Sequence, residues 1–374
     1  MSNLNILVTG GAGFIGSHLV DALVERGHTV RILDSLVEQV HGSKVPEHLN
    51  PAAEFVRADV CDAPAVSKAL DGIDVVYHEA AEVGVGQSMY EIVRYVKAND
   101  LGTAVLLEEI VKRPRQFKKL IVASSMSIYG EGAYRCEVCS TVAHPNLRPA
   151  EQLAAHDWDF TCENCGGLLA TIGTPESKPL FPTSVYAVTK QDQEQYCLAV
   201  GRAYHIPTVA FRYFNVYGTR QALSNPYTGV CAIFSARLLN DQAPTIFEDG
   251  EQTRDFVNVK DIVNANLLAL ETDRGDYNMF NIGTGRATSI KEVAQLLAAG
   301  LGKKISPEIV GKYREGDIRH CVADISKART LLGYEPSVSL EDGLAELLSW
   351  LNDQEADDKV ETATAELASR SLVR

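Results

Sequence analysis

Ile6-Leu7-Val8-Thr9-Gly10-Gly11-Ala12-Gly13-Phe14-Ile15-Gly16 is the stretch that decides the fold. Its apolar start reads as a strand buried on both faces, and three glycines at a three-residue spacing turn it into a helix. Ile15, Leu19 and Leu23 recur at the helical step, and Gly27 is placed to close the helix in a left-handed conformation. A second strand, Val30-Arg31-Ile32-Leu33, ends in Asp34. Gly10 permits the sharp turn, Gly13 lets backbone approach a pyrophosphate, and Gly16 lets the helix pack on the strand. The free amides at the helix start hold phosphates, while Asp34 accepts from ribose hydroxyls and repels a 2′-phosphate. The unit therefore predicts a dinucleotide site that takes NAD rather than NADP.

Beyond this unit, strands and helices alternate. Phe55-Val56-Arg57 precedes Asp59, which is placed to reach the adenine edge; Val75-Val76-Tyr77-His78 runs into Ala80-Ala81, and Lys119–Ala123 into Ser124-Ser125. This alternation predicts an α/β fold, a doubly wound parallel sheet of Rossmann type whose ligands bind beyond the carboxyl ends of the strands. Residues 1–220 are expected to form this domain, interrupted by an insertion over 131–180. Residues 221–352 are expected to contribute a smaller mixed α/β substrate domain, with helices near Val230–Leu239, Asp261–Leu270 and Ile290–Leu301 and strands near Thr245–Phe247 and Met279–Ile282. The acidic, alanine-rich tail 353–374 reads as flexible.

With 374 residues and 45% apolar composition the chain can bury a large core. Its net charge of −14 argues against a general nucleic-acid or membrane surface but leaves room for a local anion pocket. The chain has no run of eighteen apolar residues, and the first strand begins too early for a signal peptide, so a cytoplasmic enzyme is expected.

Tyr186-Ala-Val-Thr-Lys190 sets a phenol and an ammonium one helical turn apart. The positive charge is expected to favour phenolate, making Tyr186 a base for a substrate hydroxyl. Together with the glycine fingerprint and the serine-rich strand end, this pair resembles the extended short-chain dehydrogenase/reductases, and among them nucleotide-sugar epimerases similar to UDP-galactose 4-epimerase. His78-Glu79-Ala80-Ala81, Asn99, Ser124–Gly130, Arg212–Gly218, Arg254-Asp255-Phe256-Val257 and Arg314-Glu315-Gly316-Asp317 carry the resemblance further.

The resemblance implies that Tyr186 is the base, that Lys190 bonds the nicotinamide ribose, and that Ser125 bonds the reacting hydroxyl. It extends the cofactor set to Phe14, Ile15, Val60, Ala80, Ala81, Asn99, Ser124 and Phe214. It gives Asn215, Arg254 and Arg314 to the substrate diphosphate and Asp317 to the nucleoside ribose. The related 4,6-dehydratases carry an Asp-Glu pair where this chain has Met126 and Ser127, so elimination is disfavoured and these two residues are expected against the sugar. Cys321 falls where epimerases limit the C2 substituent. The implied reaction inverts C4 through a 4-keto sugar, with NAD tightly held. UDP-glucose or UDP-N-acetylglucosamine epimerisation, a dehydratase or reductase, and a non-catalytic NAD sensor remain as alternatives. A homodimer through helices near Tyr90–Val111 and Tyr186–Tyr204 is also implied.

Four of the eight cysteines, Cys61, Cys197, Cys231 and Cys321, are scattered; the others form Cys136-x-x-Cys139 and Cys162-x-x-Cys165, separated by 22 residues. Such paired knuckles suit a zinc-ribbon-like site with four thiolates and no open position, hence structural zinc. Redox or disulfide pairing is the alternative. Seven acids against three bases between Glu131 and Pro179 disfavour nucleic acid there. Lying between Ser125 and Tyr186, the insertion is expected to overhang the substrate cleft as a lid or to form a subunit contact. Its paired cysteines resemble a branch of dTDP-6-deoxyhexose 4-epimerases acting on dTDP-L-rhamnose.

Overall fold

The computed structural model describes residues 3–42, 44–314 and 316–374. Glu315, part of the Arg314–Asp317 motif, lies outside the described residues. Among the described residues, seven parallel strands form the larger sheet. From one edge they are β3 (Glu54–Arg57), β2 (Thr29–Asp34), β1 (Asn5–Thr9), β4 (Val75–His78), β5 (Lys119–Ser125), β9 (Thr208–Tyr213) and Asn278–Ile282. The chain moves outward from β1 in both directions, so a crevice opens beyond the carboxyl ends of β1 and β4.

Alternation along the strands explains why both faces are covered. Ile6, Val8, Tyr77 and Ile121 pack on one face with Leu19 and Leu23 of helix α1 (Phe14–Glu25). Leu7, Val76, Leu120 and Val122 pack on the other with Leu106, Ile110 and Leu198. Strand Asn278–Ile282, expected within the smaller half, instead pairs in parallel with β9 and completes the large sheet. Its neighbour is distant in sequence, which local pattern does not reveal.

A second sheet has, among the described residues, six strands, in the order Thr288–Ser289, Thr253–Arg254, His320–Ala323, β8 (Leu169–Thr174), β6 (Ala133–Cys136) and β7 (Val142–Ala143). The cysteine-bearing insertion thus extends the sheet of the smaller half. Beside it, Phe234, Leu238, Ile246, Val293, Leu297 and Leu347 form a separate core. The tail, expected as a flexible extension, is given a helix over Val360–Ser369 with its own side-chain contacts. No helix among the described residues is long and apolar enough to cross a membrane.

Candidate active site

Two cavities meet at the carboxyl edge of the large sheet. One, of about 350 Å³, is lined by Gly10, Gly13, Phe14, Ile15, Asp34, Asp59, Val60, Ala80, Ala81, Ser124, Lys190 and Phe214. The other, of about 430 Å³, is lined by Met126, Ser127, Asn215, Arg254, Arg314 and Asp317. Ser125 and Tyr186 line both.

The glycine turn fits its expected task. Gly10 has φ +69°, and a Cβ there would lie 2.7 Å from the Ala80 amide nitrogen. A Cβ on Gly16 would lie 2.2 Å from the Gly10 carbonyl oxygen, so helix and turn meet only without side chains. Gly13 caps α1 without a side-chain hydrogen bond, which leaves the first amides of the helix available. The Asp34 carboxylate accepts from the amides of Ala12 (3.0 Å) and Leu36 (2.9 Å), tying the loop after β2 to the glycine turn. Asp59 accepts from the Cys61 amide at 2.9 Å.

Asn99 does not line the cavity. It sits fully buried in a π-helical turn, Val96–Leu101. Its side chain accepts from the Glu82 amide (2.8 Å) and donates to Thr189 Oγ1 (2.9 Å), so it joins the loop after β4 to the helix that carries Tyr186.

That helix, Val185–Tyr204, starts at Ser184, whose hydroxyl accepts from the Ala187 amide at 3.1 Å. Tyr186 and Lys190 do share one face, but their chemistry differs from the expectation. Lys190 Nζ donates to the Ala123 carbonyl oxygen and to Gln193 Oε1 (2.8 Å), and burial lowers its pKa to about 8. Its charge is committed to the floor of the cavity rather than to the phenol. Burial raises the Tyr186 pKa, offset in part by a hydrogen bond with Ser125. The expected lowering of Tyr186 by Lys190 is therefore corrected: the hydroxyl that favours phenolate is Ser125. Ser125 Oγ accepts from Ser127 Oγ (2.9 Å) and from the Ser127 amide (3.2 Å), leaving its own proton free to donate.

Sequence reasoning missed the polar groups beneath this pair. Gln193 Nε2 donates to Thr103 Oγ1 (2.9 Å) and lies 3.2 Å from His78 Nε2, while His78 Nδ1 bonds Thr9 Oγ1 at 2.8 Å. Burial lowers the His78 pKa to about 3, so the imidazole is neutral. Glu194 accepts from Ser124 Oγ (2.7 Å) and pairs with Arg212 at 2.6 Å. Gln193 and Glu194 are polar residues on the buried face of a helix, and that pattern is the signal that could have found them. Glu79, lining the cofactor cavity, accepts from Tyr213 at 3.0 Å; burial pushes its carboxyl up to about 7.

In the second cavity, Asn215 Oδ1 is buried without a partner among the described residues, an acceptor left for a ligand. Arg254 donates to the carbonyls of Arg319 (3.0 Å) and Ile318 (2.8 Å), with Asp317 Oδ1 at 3.3 Å. The guanidinium of Arg314 lies 4.5 Å over the ring of Phe247. Asp317 is the one carboxylate among the described lining residues. Cys321 is corrected: it is wholly buried in strand His320–Ala323, opposite Arg254, and does not line the cavity.

None of residues 131–180 lines the substrate cavity either, so the expected lid position of the insertion is corrected. The pairing of β8 with His320–Ala323 draws the insertion to the outer side of the second sheet. Its four cysteine sulfurs lie within 4.8 Å of one another, with Cys136–Cys165 at 3.4 Å and Cys139–Cys162 at 3.7 Å. The amides of Val138 and Cys139 point at Cys136 Sγ, each at 3.4 Å.

This geometry, a dinucleotide cradle joined through a tyrosine and a serine to an arginine-bearing cleft, defines a class of enzyme. Residues 6–152 match the NAD dependent epimerase/dehydratase family, and residues 163–347 match the GDP-mannose 4,6 dehydratase model. A dTDP-L-rhamnose 4-epimerase of Burkholderia thailandensis is 38% identical over 357 residues, 95% of this chain and 96% of the relative. A putative UDP-glucose 4-epimerase of Methanocaldococcus jannaschii is 36% identical over 92% of this chain and 98% of its own. Among solved structures, UDP-glucuronic acid 4-epimerase of Bacillus cereus, in complex with UDP-glucuronic acid and NAD, has a TM-score of 0.77 at 32% identity, over 93% of this chain and 99% of its own. The chain belongs to the NAD-dependent epimerase/dehydratase family, as one of its nucleotide-sugar epimerases.

Proposed function

We propose that the chain inverts C4 of a nucleotide-linked hexose, and that the hexose is dTDP-L-rhamnose. The observation that carries the first part is the position of Tyr186 and Ser125, which line both cavities and so face a nucleotide sugar and a dinucleotide at once. The second part rests on the 38% identical relative of that name and on the paired-cysteine insertion. UDP-hexoses are the competing substrates, since the Methanocaldococcus relative is named for UDP-glucose.

Gly10, Gly13, Asp34 and Lys190 would hold NAD, which when bound supplies the acceptor and donor of hydride. Tyr186 Oη takes the proton of the C4 hydroxyl as the 4-keto sugar forms, and returns it after the sugar presents its other face. Ser125 donates to whichever oxygen carries the charge. Arg254 and Arg314 neutralise the diphosphate, with Asn215 Oδ1 open to a donor on the ligand. Met126 and Ser127 bring no carboxylate to the sugar, so elimination of water lacks its acid and base.

The four cysteines are read as a structural zinc site. Four thiolates at about 2.3 Å from a tetrahedral ion lie about 3.8 Å apart, close to the two sulfur separations above. Exposed Val93, Ile92, Leu101 and Val188, on the helical stretches around residues 92–111 and 185–204, support a homodimer.

The test is proton NMR and mass measurement of protein incubated without added cofactor with dTDP-L-rhamnose, UDP-glucose or UDP-N-acetylglucosamine. The C4 epimer of dTDP-L-rhamnose at unchanged mass is expected, and Tyr186→Phe should lower the rate about 10²–10⁴-fold. Loss of water, or NADH that accumulates in proportion to product, would overturn the epimerase reading; conversion of a UDP-hexose alone would overturn the substrate.

A further inference from the structure

The tail is the part of the molecule that the catalytic description leaves unused, yet it stands at the substrate cavity. Residues 356–358 fasten to the smaller half: Asn240 Nδ2 donates to the Ala356 carbonyl (2.7 Å), the Asp357 amide to Ser224 Oγ (3.0 Å), and Arg237 pairs with Asp358 at 3.3 Å. Helix Val360–Ser369 then crosses to the loop after β4. Its Leu367 meets Gly86 so closely that a Cβ on that glycine would lie 3.3 Å from Leu367 Cδ2.

A polar clasp holds the crossing. Glu366 Oε2 accepts from Tyr90 (3.1 Å) and Tyr227 (3.2 Å), whose hydroxyls are 2.6 Å apart. Tyr90 follows the β4 loop, and Tyr227 belongs to the segment that opens helix Val230–Leu239, so one carboxylate joins both lips of the cavity. Arg370 covers the Tyr90 ring at 4.3 Å and pairs with Glu366 at 3.3 Å. Beyond the helix, Val373 bridges Arg314, and Tyr313 and Arg374 exchange backbone hydrogen bonds of 2.9 and 3.0 Å. The backbone of the arginine expected on the diphosphate is thereby attached to the chain end.

We infer that Val360–Arg374 is a wall of the substrate site: Ala363, Thr364, Leu367 and Leu372 line the same cavity as the polar residues of the strand ends, cover the bound nucleoside diphosphate sugar, and fix the loop of Arg314. The inference rests on the proposed nucleotide-sugar substrate but not on which sugar reacts. An apolar wall excludes water from the reacting centre and retains a keto sugar between its formation and its reduction.

The experiment measures binding of UDP and dTDP by calorimetry, together with turnover, for the full chain, a chain ending at Asp353, and Leu367→Ser and Glu366→Gln in the full chain. Each altered chain should bind nucleotide about tenfold more weakly and raise KM by a similar factor, because buried apolar and clasp contacts are lost. Turnover should leave part of the enzyme as NADH with keto sugar released, visible as absorbance at the NADH band. If the shortened chain does not fold, the two point variants decide. Wild-type nucleotide affinity and KM in both variants, with the unaltered chain binding normally, would overturn the wall alone. Failure of the unaltered chain to bind either nucleotide would overturn the substrate reading and the wall together.

Discussion

The glycine-bearing half and the cysteine-bearing insertion hold their loops by different physics. In the first, Ile6, Leu7 and Val8 are wholly buried, and packed side chains on both faces of the sheet bring the turn into place. At the insertion, Leu153 and Trp158 form a small apolar cluster with Tyr313, which lies outside it. There, Arg148 makes a bidentate, buried pair with Glu248 (2.7 and 2.9 Å), and Arg319 bridges Glu248, Asp249 and Asp159. Glu131 accepts from the amides of Arg319 (2.8 Å) and His320 (2.7 Å). Where apolar burial is small, charge and ladder pairing take its place.

The largest effect is expected at the thiols. The zinc proposed for these thiols would be worth about 10–16 kcal/mol to such a module. Cys136→Ser with Cys139→Ser, or a strong chelator, should therefore open residues 137–168 to limited proteolysis while leaving the cofactor half resistant. An unchanged cleavage pattern with no metal in the untreated protein would mean that the insertion stands by its ion pairs alone. Those ion pairs come next. Arg148→Met should cost about 3 kcal/mol in denaturant unfolding, the low end for a broken buried pair, because Arg319 remains beside Glu248. A neutral result would place the stability of the insertion in its strands.

On the other side, Gly16→Ala sets a methyl against the Gly10 carbonyl and should cost about 2–3 kcal/mol, with loss of co-purifying NAD. Retention of both would show the turn to be more yielding than its packing implies.

The last effect is a slope with pH. Glu79 keeps its proton in the folded chain up to about pH 7, whereas an ordinary carboxyl gives it up near 4.5. The folded state then binds more protons between these values, so stability falls as pH rises through that window. Glu79→Gln should remove this fall, by at most about 3 kcal/mol, in thermal unfolding followed from pH 4.5 to 7. Parallel curves for both proteins would place the carboxyl in an ordinary, hydrated state.

Features set by short-range pattern were legible in the sequence. Strand, glycine turn and Asp34 lie within thirty residues of one another, and the serine run stands directly at the end of β5. The residues around them follow from strand ends meeting at one edge. Less legible were choices made between distant partners. Helical spacing puts Lys190 beside Tyr186, but the Ala123 carbonyl, 67 residues away, claims the ammonium. Asn99 finds Thr189 across 90 residues and turns inward, away from the cofactor cavity. Cys321 lies in a strand whose two neighbours, Thr253–Arg254 and β8, bury it. The tail has the composition of a disordered end, and its anchor at Tyr90 lies 276 residues before Glu366. Long-range contacts of this kind leave no periodic trace.

The second sheet carries a consequence for how this protein can be altered. Val322 and Ala323 pair with Gly173 and Thr174 of the insertion. Excising residues 131–180 would not restore a simpler enzyme; it would strip the partner from His320–Ala323 and leave a naked row of amides and carbonyls. Such an edge recruits the same edge of another molecule. A chain lacking the insertion is therefore expected to precipitate before it can be assayed.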